Sequence, residues 1–321
     1  MPKEPSATAV QTAFAQDVAR GLSASPKHLP SKYFYDAEGD RLFQQIMRMP
    51  EYYLTDCEYE ILESAKGELL NILGTPFELV ELGAGDGMKT KVLLAFFLAQ
   101  EARFQYLPVD ISGNVLALLE QDLRAQFPAL QVSSLQGDYF QVLGDLSARD
   151  KTRKLVLYLG STIGNLGPER ELEFLQCVNQ YMNPGDLLLT GFDLKKDPEV
   201  ILKAYNDPAG ITAAFNLNLL DRINRELDGN FRRDQFCHWE TYNPGNGETR
   251  SYLVSTADQD VFIGALDRRF SFRAWEAIAV ELSQKYDLPH IESLARRSHF
   301  RVKKQFFDAR RYFVDSLWEK A

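Results

Sequence analysis

Apolar residues recur along this chain with two different periods. Over residues 8–22, Val10, Phe14, Val18 and Leu22 sit four apart, which predicts an amphipathic helix. Residues 26–30, bounded by prolines, read as a loop, and the aromatic run Tyr33-Phe34-Tyr35 follows it. Leu42, Phe43, Ile46 and Met49 then predict a short helix. Thr55 with Glu58 reads as a capping box opening a helix to about Leu73. From there short apolar runs alternate with helical stretches. Strands are predicted over 77–82, 104–109, 130–135, 154–159 and 187–192, and helices over 89–100, 115–126 and 170–182. Asn183-Pro184-Gly185-Asp186 marks a turn. Short buried strands separated by helices belong to parallel sheets, so the fold class is α/β.

The alternation breaks after Leu194. Residues 195–286 carry helices near 198–205 and 213–227, then antiparallel-looking segments at 236–242, 249–256, 259–267 and 278–286. A helix near 290–297 and closing strands over 300–307 and 311–317 resume the first pattern. Residues 61–194 and 287–321 are therefore read as one doubly wound domain. Residues 195–286 are read as an inserted α+β lid or substrate domain, packing with the N-terminal helices of residues 1–60.

Composition narrows the function. Of 321 residues, 45% are hydrophobic and 25% charged, ordinary for a globular protein; only residues 1–6, with two prolines, lack an apolar pattern. A net charge of −9 argues against nucleic acid as a partner, since phosphate binding needs clustered positive charge. The one basic-rich stretch, 296–311, is interleaved with Phe300, Val302, Phe306 and Phe307, as on the solvated face of strands. Cys57, Cys177 and Cys237 lie far apart and the four histidines show no ligand spacing, so neither disulfides nor a metal site is expected. No apolar stretch reaches membrane-spanning length and the N-terminus has no signal pattern. A cytoplasmic monomer without a membrane partner is the expectation.

The chemistry-bearing residues fall at strand ends. Val80-Glu81-Leu82-Gly83-Ala84-Gly85-Asp86-Gly87 runs from a strand into a glycine turn, where backbone can approach a ligand closely. It departs from the dinucleotide pattern, because Met88 stands three after Gly85, and Glu81 and Asp86 disfavour a pyrophosphate. Asp110, ending the second strand, suits ribose hydroxyls. Asp138, beside Tyr139 and Phe140, suits an adenine amine under an aromatic cover. Taken singly, both acids also read as helix caps or turn formers. Gly160-Ser161-Thr162-Ile163-Gly164-Asn165-Leu166 follows the fourth strand, and Asn165 offers both a donor and an acceptor. Glu281, Ser283 and Lys285 alternate onto one strand face, which is either a solvated polar face or the lining of a cavity. Tyr35, Tyr52 and Tyr205 are core aromatics or ligands.

Several stretches resemble the S-adenosylmethionine-dependent histidine Nα-methyltransferases of ergothioneine biosynthesis. They are Leu29-Pro30-Ser31-Lys32-Tyr33-Phe34-Tyr35-Asp36, Pro50-Glu51-Tyr52-Tyr53, Val80-Glu81-Leu82-Gly83, the 159–166 loop, Ala204-Tyr205, and Gly210-Ile211-Thr212-Ala213-Ala214-Phe215-Asn216. The resemblance implies a Rossmann-like class I methyltransferase sheet with the substrate held between it and the inserted domain. It implies S-adenosyl-L-methionine as cofactor, bound by Gly83, Gly85, Lys89, Asp110, Asp138 and Tyr139. It implies free histidine as substrate, trimethylated to hercynine. Tyr52, Asn165 and Tyr205 would hold the amino acid's charged ends, Tyr35 and Phe43 line the amine, and Gly160 and Thr162 form the floor. Tyr35 or Asn165 would orient the lone pair, and Glu281 with Ser283 would recognise the imidazole. Ser251 stands where a larger apolar residue is expected, which enlarges the pocket. A tryptophan or tyrosine Nα-methyltransferase and a non-catalytic cofactor-binding scaffold are the alternatives.

Overall fold

The computed structural model describes residues 7–149 and 152–320. Residues 1–6, the stretch without an apolar pattern, lie outside them. In chain order the strands are β1 (Lys27–His28), β2 (Phe77–Leu82), β3 (Phe104–Asp110), β4 (Leu135–Gln136), β5 (Lys154–Tyr158), β6 (Leu187–Asp193) and β7 (Phe236–Asn243). They continue as β8 (Glu248–Ser255), β9 (Gln259–Ile263), β10 (Arg268–Phe272), β11 (Ala277–Gln284), β12 (Phe300–Phe307) and β13 (Phe313–Lys320). The chain divides into two compact units. One holds the chain up to Tyr53 with Lys196–Ser283, the other Leu54–Lys195 with Gln284–Ala321.

The second unit is built on a seven-stranded sheet in the order β12-β13-β6-β5-β2-β3-β4. Strands β2 to β6 pair in parallel, while β13 runs antiparallel to both β6 and β12. The chain winds outward from β2 through β3 to β4, then returns to build β5 and β6 on the other side. That reversal at β2 and β5 is the switch point beyond whose carboxyl ends ligands bind in such sheets. Every residue of β5 and β6 is buried, because helices cover both faces. The core gathers Val80, Val109, Val156, Leu188, Phe192 and Trp318, with Phe192 stacked on Trp318 at 5.7 Å. The basic stretch is edge strand β12, where Lys303 pairs with Glu319 and Lys304 with Glu68. Charges on an edge strand deter pairing with another chain.

The first unit packs the helices Ala7–Ser23, Ala37–Ile46 and Ile211–Leu227 with a four-stranded sheet, β1-β11-β8-β7, and a β9-β10 hairpin. Phe14, Val18 and Leu22 are buried together with Phe215, Leu219, Leu253 and Ile278. Asp207 accepts the N–H groups of Ile211 and Thr212, at 2.9 and 2.8 Å, and so sets the start of the Ile211–Leu227 helix.

Several elements differ from the sequence reading. The helix Tyr53–Leu73 begins two residues before Thr55, so Thr55 and Glu58 form no capping box. Residues 130–135 contribute only β4 and an isolated bridge from Val132 to Tyr106, because no strand lies beyond this edge to hold them extended. Residues 259–267 end in a 3₁₀ turn, and β10 follows as an unread strand paired to β9. The helix Tyr139–Arg149 was also unread, its apolar pattern being masked by the turn signal at Gly137-Asp138. Among the described residues, no helix is long and apolar enough to cross a membrane.

Candidate active site

The residues singled out from the sequence fall into two groups, one on each unit. On the second unit the β2 turn bends sharply: Gly83, Gly85 and Gly87 all have positive φ, 73°, 54° and 62°. Gly83 and Ala84 both donate their N–H to the carbonyl of Val109 on β3, at 2.8 and 3.3 Å. A Cβ on Gly83 would meet the Tyr139 hydroxyl at 2.8 Å, so glycine is required sterically as well as conformationally. Nothing approaches Gly85 within 4 Å of where its side chain would start, which leaves that backbone open to a ligand.

Asp110 and Asp138 each use one carboxylate oxygen locally. Asp110 accepts from the Ser112 N–H at 2.9 Å and Asp138 from the Phe140 N–H at 3.0 Å. The turn-forming reading is thus correct for one oxygen of each. Burial, with the charges of Asp110 and Asp138 nearby, pushes the Tyr139 phenol up to about 12. Gly83, Tyr139 and the two aspartates therefore converge beyond the carboxyl ends of β2, β3 and β4. This set fits S-adenosylmethionine by its chemistry: open backbone for the methionine part, carboxylates for ribose hydroxyls and an adenine amine, and an aromatic ring beside them.

Glu81 plays a different part from its expected one. It is buried, accepting from the Thr90 hydroxyl at 2.6 Å and from the Tyr106 hydroxyl. Burial pushes its carboxyl up to about 7, so it braces the turn instead of repelling an anion. Lys89 forms an ion pair with the fully buried Glu58. Burial alone would lower the Lys89 ammonium, but Glu58 more than offsets that and raises it. Glu58 also accepts the Gly160 N–H, at 2.8 and 3.0 Å from its two oxygens. Sequence reasoning missed this residue because its spacing from Thr55 offered a nearer explanation.

Gly160 (φ 77°) and Ser161 (φ 54°) turn the chain after β5 into the 3₁₀ turn Thr162–Asn165. The Asp193 N–H donates to the Ser161 hydroxyl at 3.0 Å, and the Thr162 hydroxyl to the Leu159 carbonyl at 2.9 Å. Gly164 lies so close to the Gln284 backbone that a Cβ would sit 2.8 Å from its carbonyl oxygen. Asn165 emerges exposed at the end of this fixed loop. Lys285 does not share a solvated face with Glu281. It is fully buried against Asp193 at 2.8 Å.

On the first unit, Tyr35, Phe43 and Tyr52 gather with Phe215 in edge-to-face and tilted contacts, with centroids 5.6 to 6.4 Å apart. Phe215 was read as part of a motif but given no role. Enclosure by protein and the negative charges of Glu281 and Asp40 push the Tyr35 phenol well above its ordinary value. Tyr205, at the end of the helix Pro198–Tyr205, is buried and donates its hydroxyl to Ser283 at 2.8 Å. The Ser251 hydroxyl donates to Glu281 at 3.5 Å. Glu281 and Ser283 share a face of β11, where Glu281 is half-buried and Ser283 is 4% exposed. His238, also unread, holds the Tyr205 carbonyl through Nε2 at 3.0 Å, and burial lowers its pKa.

A family model described as histidine-specific methyltransferase, SAM-dependent, matches residues 14–320. The histidine N-alpha-methyltransferase of Mycolicibacterium smegmatis is 40% identical over 274 residues, covering 85% of this chain and 84% of that one. The Mycobacterium tuberculosis protein of the same name is 38% identical with the same coverage. A 4-dimethylallyltryptophan N-methyltransferase from Claviceps purpurea is 25% identical, covering 89% of this chain and 88% of its own.

Proposed function

From the premise that this chain belongs to the S-adenosylmethionine-dependent, histidine-specific methyltransferase family, we propose that it methylates the α-amino group of free L-histidine. Three rounds give the trimethylated betaine hercynine, a step of ergothioneine biosynthesis. The observation that supports histidine most directly is the hydrogen-bonded set Tyr205–Ser283 and Ser251–Glu281 on the first unit.

The cofactor, when bound, supplies an electrophilic methyl group on a sulfonium. Gly83 and Gly85 would pass their backbone along its methionine part, Asp110 would accept from the ribose hydroxyls, and Asp138 with Tyr139 would take the adenine. Lys89, held by Glu58, puts a positive charge beside Gly160: its ammonium would lie 3.5 Å from a Cβ there. On the first unit, Tyr52 and Tyr205 are assigned to the substrate's charged ends and Tyr35 and Phe43 to its amine; on the second unit, Asn165, Gly160 and Thr162 are the residues assigned to the substrate. Glu281 accepts the imidazole N–H and Ser283 completes the ring contact.

The nucleophile is the neutral amine, which gives up its ammonium proton to solvent before it attacks. Tyr35 keeps its own proton, so its hydroxyl orients the amine and does not serve as a base. Positioning the amine for direct attack would contribute on the order of 7–11 kcal/mol at best, and no covalent intermediate with the protein is needed. The free thiols of the three cysteines fit a cytoplasmic setting.

The test is mass spectrometry of products from each of the twenty amino acids with isotopically labelled methyl donor. Histidine carrying up to three labelled methyl groups is the expected product. Ser251 leaves room for a larger ring, so a product from tryptophan and none from histidine would overturn the substrate assignment.

A further inference from the structure

A buried carboxyl group on β13 stands beside Glu58, the residue that braces Lys89 and Gly160 in the second unit. Glu58 is fully buried. Its two oxygens accept the Gly160 N–H at 2.8 and 3.0 Å, and Oε2 also pairs with the Lys89 ammonium. Glu58 fits there because Gly191 on β6 has no side chain: a Cβ at that position would collide with Glu58 Oε1. Asp315 is directly opposite Gly191 in the antiparallel β13–β6 ladder. Residues paired in this way point to the same face of the sheet, with Cβ atoms about 4.5–5.5 Å apart. Asp315 therefore lies on the sheet face that carries Glu58, next to the space that Gly191 leaves open. It is fully buried, and among the described residues no N–H or hydroxyl reaches either of its oxygens. Its side-chain contact is with the Glu58 carboxyl group. Two carboxyl groups can hydrogen-bond only when one of them carries a proton. Burying both as anions beside a single ammonium would also leave a charge uncompensated.

We propose that Asp315 is a positioning residue of the cofactor site: its protonated carboxyl donates to Glu58 and so holds the Glu58 oxygens against the Gly160 N–H and the Lys89 ammonium. The three side chains then sum to zero charge, which spares the interior an unpaired ion. Burial and the charge of Glu58 raise the Asp315 carboxyl well above the carboxylate range, outweighing Lys89, which lowers it. Lys89 follows the glycine turn after β2, and Gly160 opens the turn after β5. One hydrogen bond from β13 thus secures groups at the ends of two other strands. The inference rests on the reading of Lys89 and Gly160 as part of the S-adenosylmethionine site.

The experiment compares the wild type with Asp315→Asn, Asp315→Ala and Glu58→Gln. It measures S-adenosylmethionine affinity by isothermal titration and the infrared carboxyl band of the ligand-free protein. Asp315→Asn keeps a donor toward Glu58 and is expected to hold the Kd within about threefold. Asp315→Ala removes that donor and Glu58→Gln removes the charge that holds Lys89, so each should raise the Kd about tenfold or more. At about pH 8.5, above the Glu81 value of about 7, Glu81 is ionised. The wild type should then show a protonated-carboxyl band that Asp315→Asn lacks. Identical spectra for these two proteins would overturn the assignment. So would Asp315→Asn weakening the cofactor as much as Asp315→Ala, or Asp315→Ala lowering the melting temperature while its Kd stays within about twofold. Should Asp315→Ala fail to fold, equal damage by Asp315→Asn and Glu58→Gln overturns it instead. A clear infrared contrast with no change of Kd in Glu58→Gln would place the failure in the reading of Lys89 and Gly160 as cofactor residues.

Discussion

Asn165 and Tyr205 show how differently two residues of one proposed role are supported. Asn165 sits exposed on a loop fixed by its neighbours, so Asn165→Ala should leave the fold intact. Its kcat/KM for histidine should fall about 10- to 100-fold, the loss of a hydrogen bond to a charged group. The S-adenosylmethionine affinity, read by isothermal titration, should stay within about twofold. Tyr205→Phe removes a buried hydroxyl bonded to Ser283 and should act similarly on turnover, with some loss of stability. Affinity for the cofactor falling in step with activity in either variant would point to a structural role. Glu81 predicts a pH effect. Its folded pKa, about 7, lies above the ordinary 4.5. Its contribution to stability is therefore fully present below pH 4.5 and lost as pH rises through 7. The loss is on the order of 3 kcal/mol. Glu81→Gln keeps the partners Thr90 and Tyr106 and should flatten the melting temperature between those pH values; an unchanged profile would contradict the assignment.

At the scale of elements, the Ile211–Leu227 helix depends on Asp207, whose two oxygens take the first free N–H groups. Asp207→Ala should cost about 1 kcal/mol of stability in urea denaturation, as for other helix caps. Burial would raise the Asp207 carboxyl, but these N–H bonds more than offset it and hold the pKa below 3.8. The stabilisation is thus present above pH 3.8 and lost only as pH falls through the lower folded value, so the variant and the wild type should converge in strong acid. Legibility varied with element. Strands covered on both sides, such as β5 and β6, appear in the sequence as unbroken apolar runs and were placed within a residue or two. The capping box at Thr55 failed because a helix can begin wherever packing supports it, and a buried Glu58 was worth more to Gly160 and Lys89 than to its own helix end.

For the whole molecule, binding of the cofactor should appear as stability. A ligand at about 100 times its Kd that binds only the folded state adds roughly 2.7 kcal/mol. S-adenosylmethionine and its demethylated product should therefore raise the melting temperature by several degrees, NAD should not, and Asp110→Ala should abolish the shift. A shift with NAD alone would refute the cofactor assignment. The alternation of buried strands and helices outside Tyr139–Arg149, the glycine turns at the ends of β2 and β5, and the acids at the end of β3 and after β4 were determined by the sequence. Each follows from local rules: burial periodicity, positive φ at glycine, and the reach of a single side chain. Which carboxylates stay outside that reading depends on neighbours remote in sequence. Glu58 meets Gly160 across 102 residues and Lys285 meets Asp193 across 92. Only the tertiary structure decided these, because a charge is accommodated in the interior by whatever partner the sheet register brings beside it.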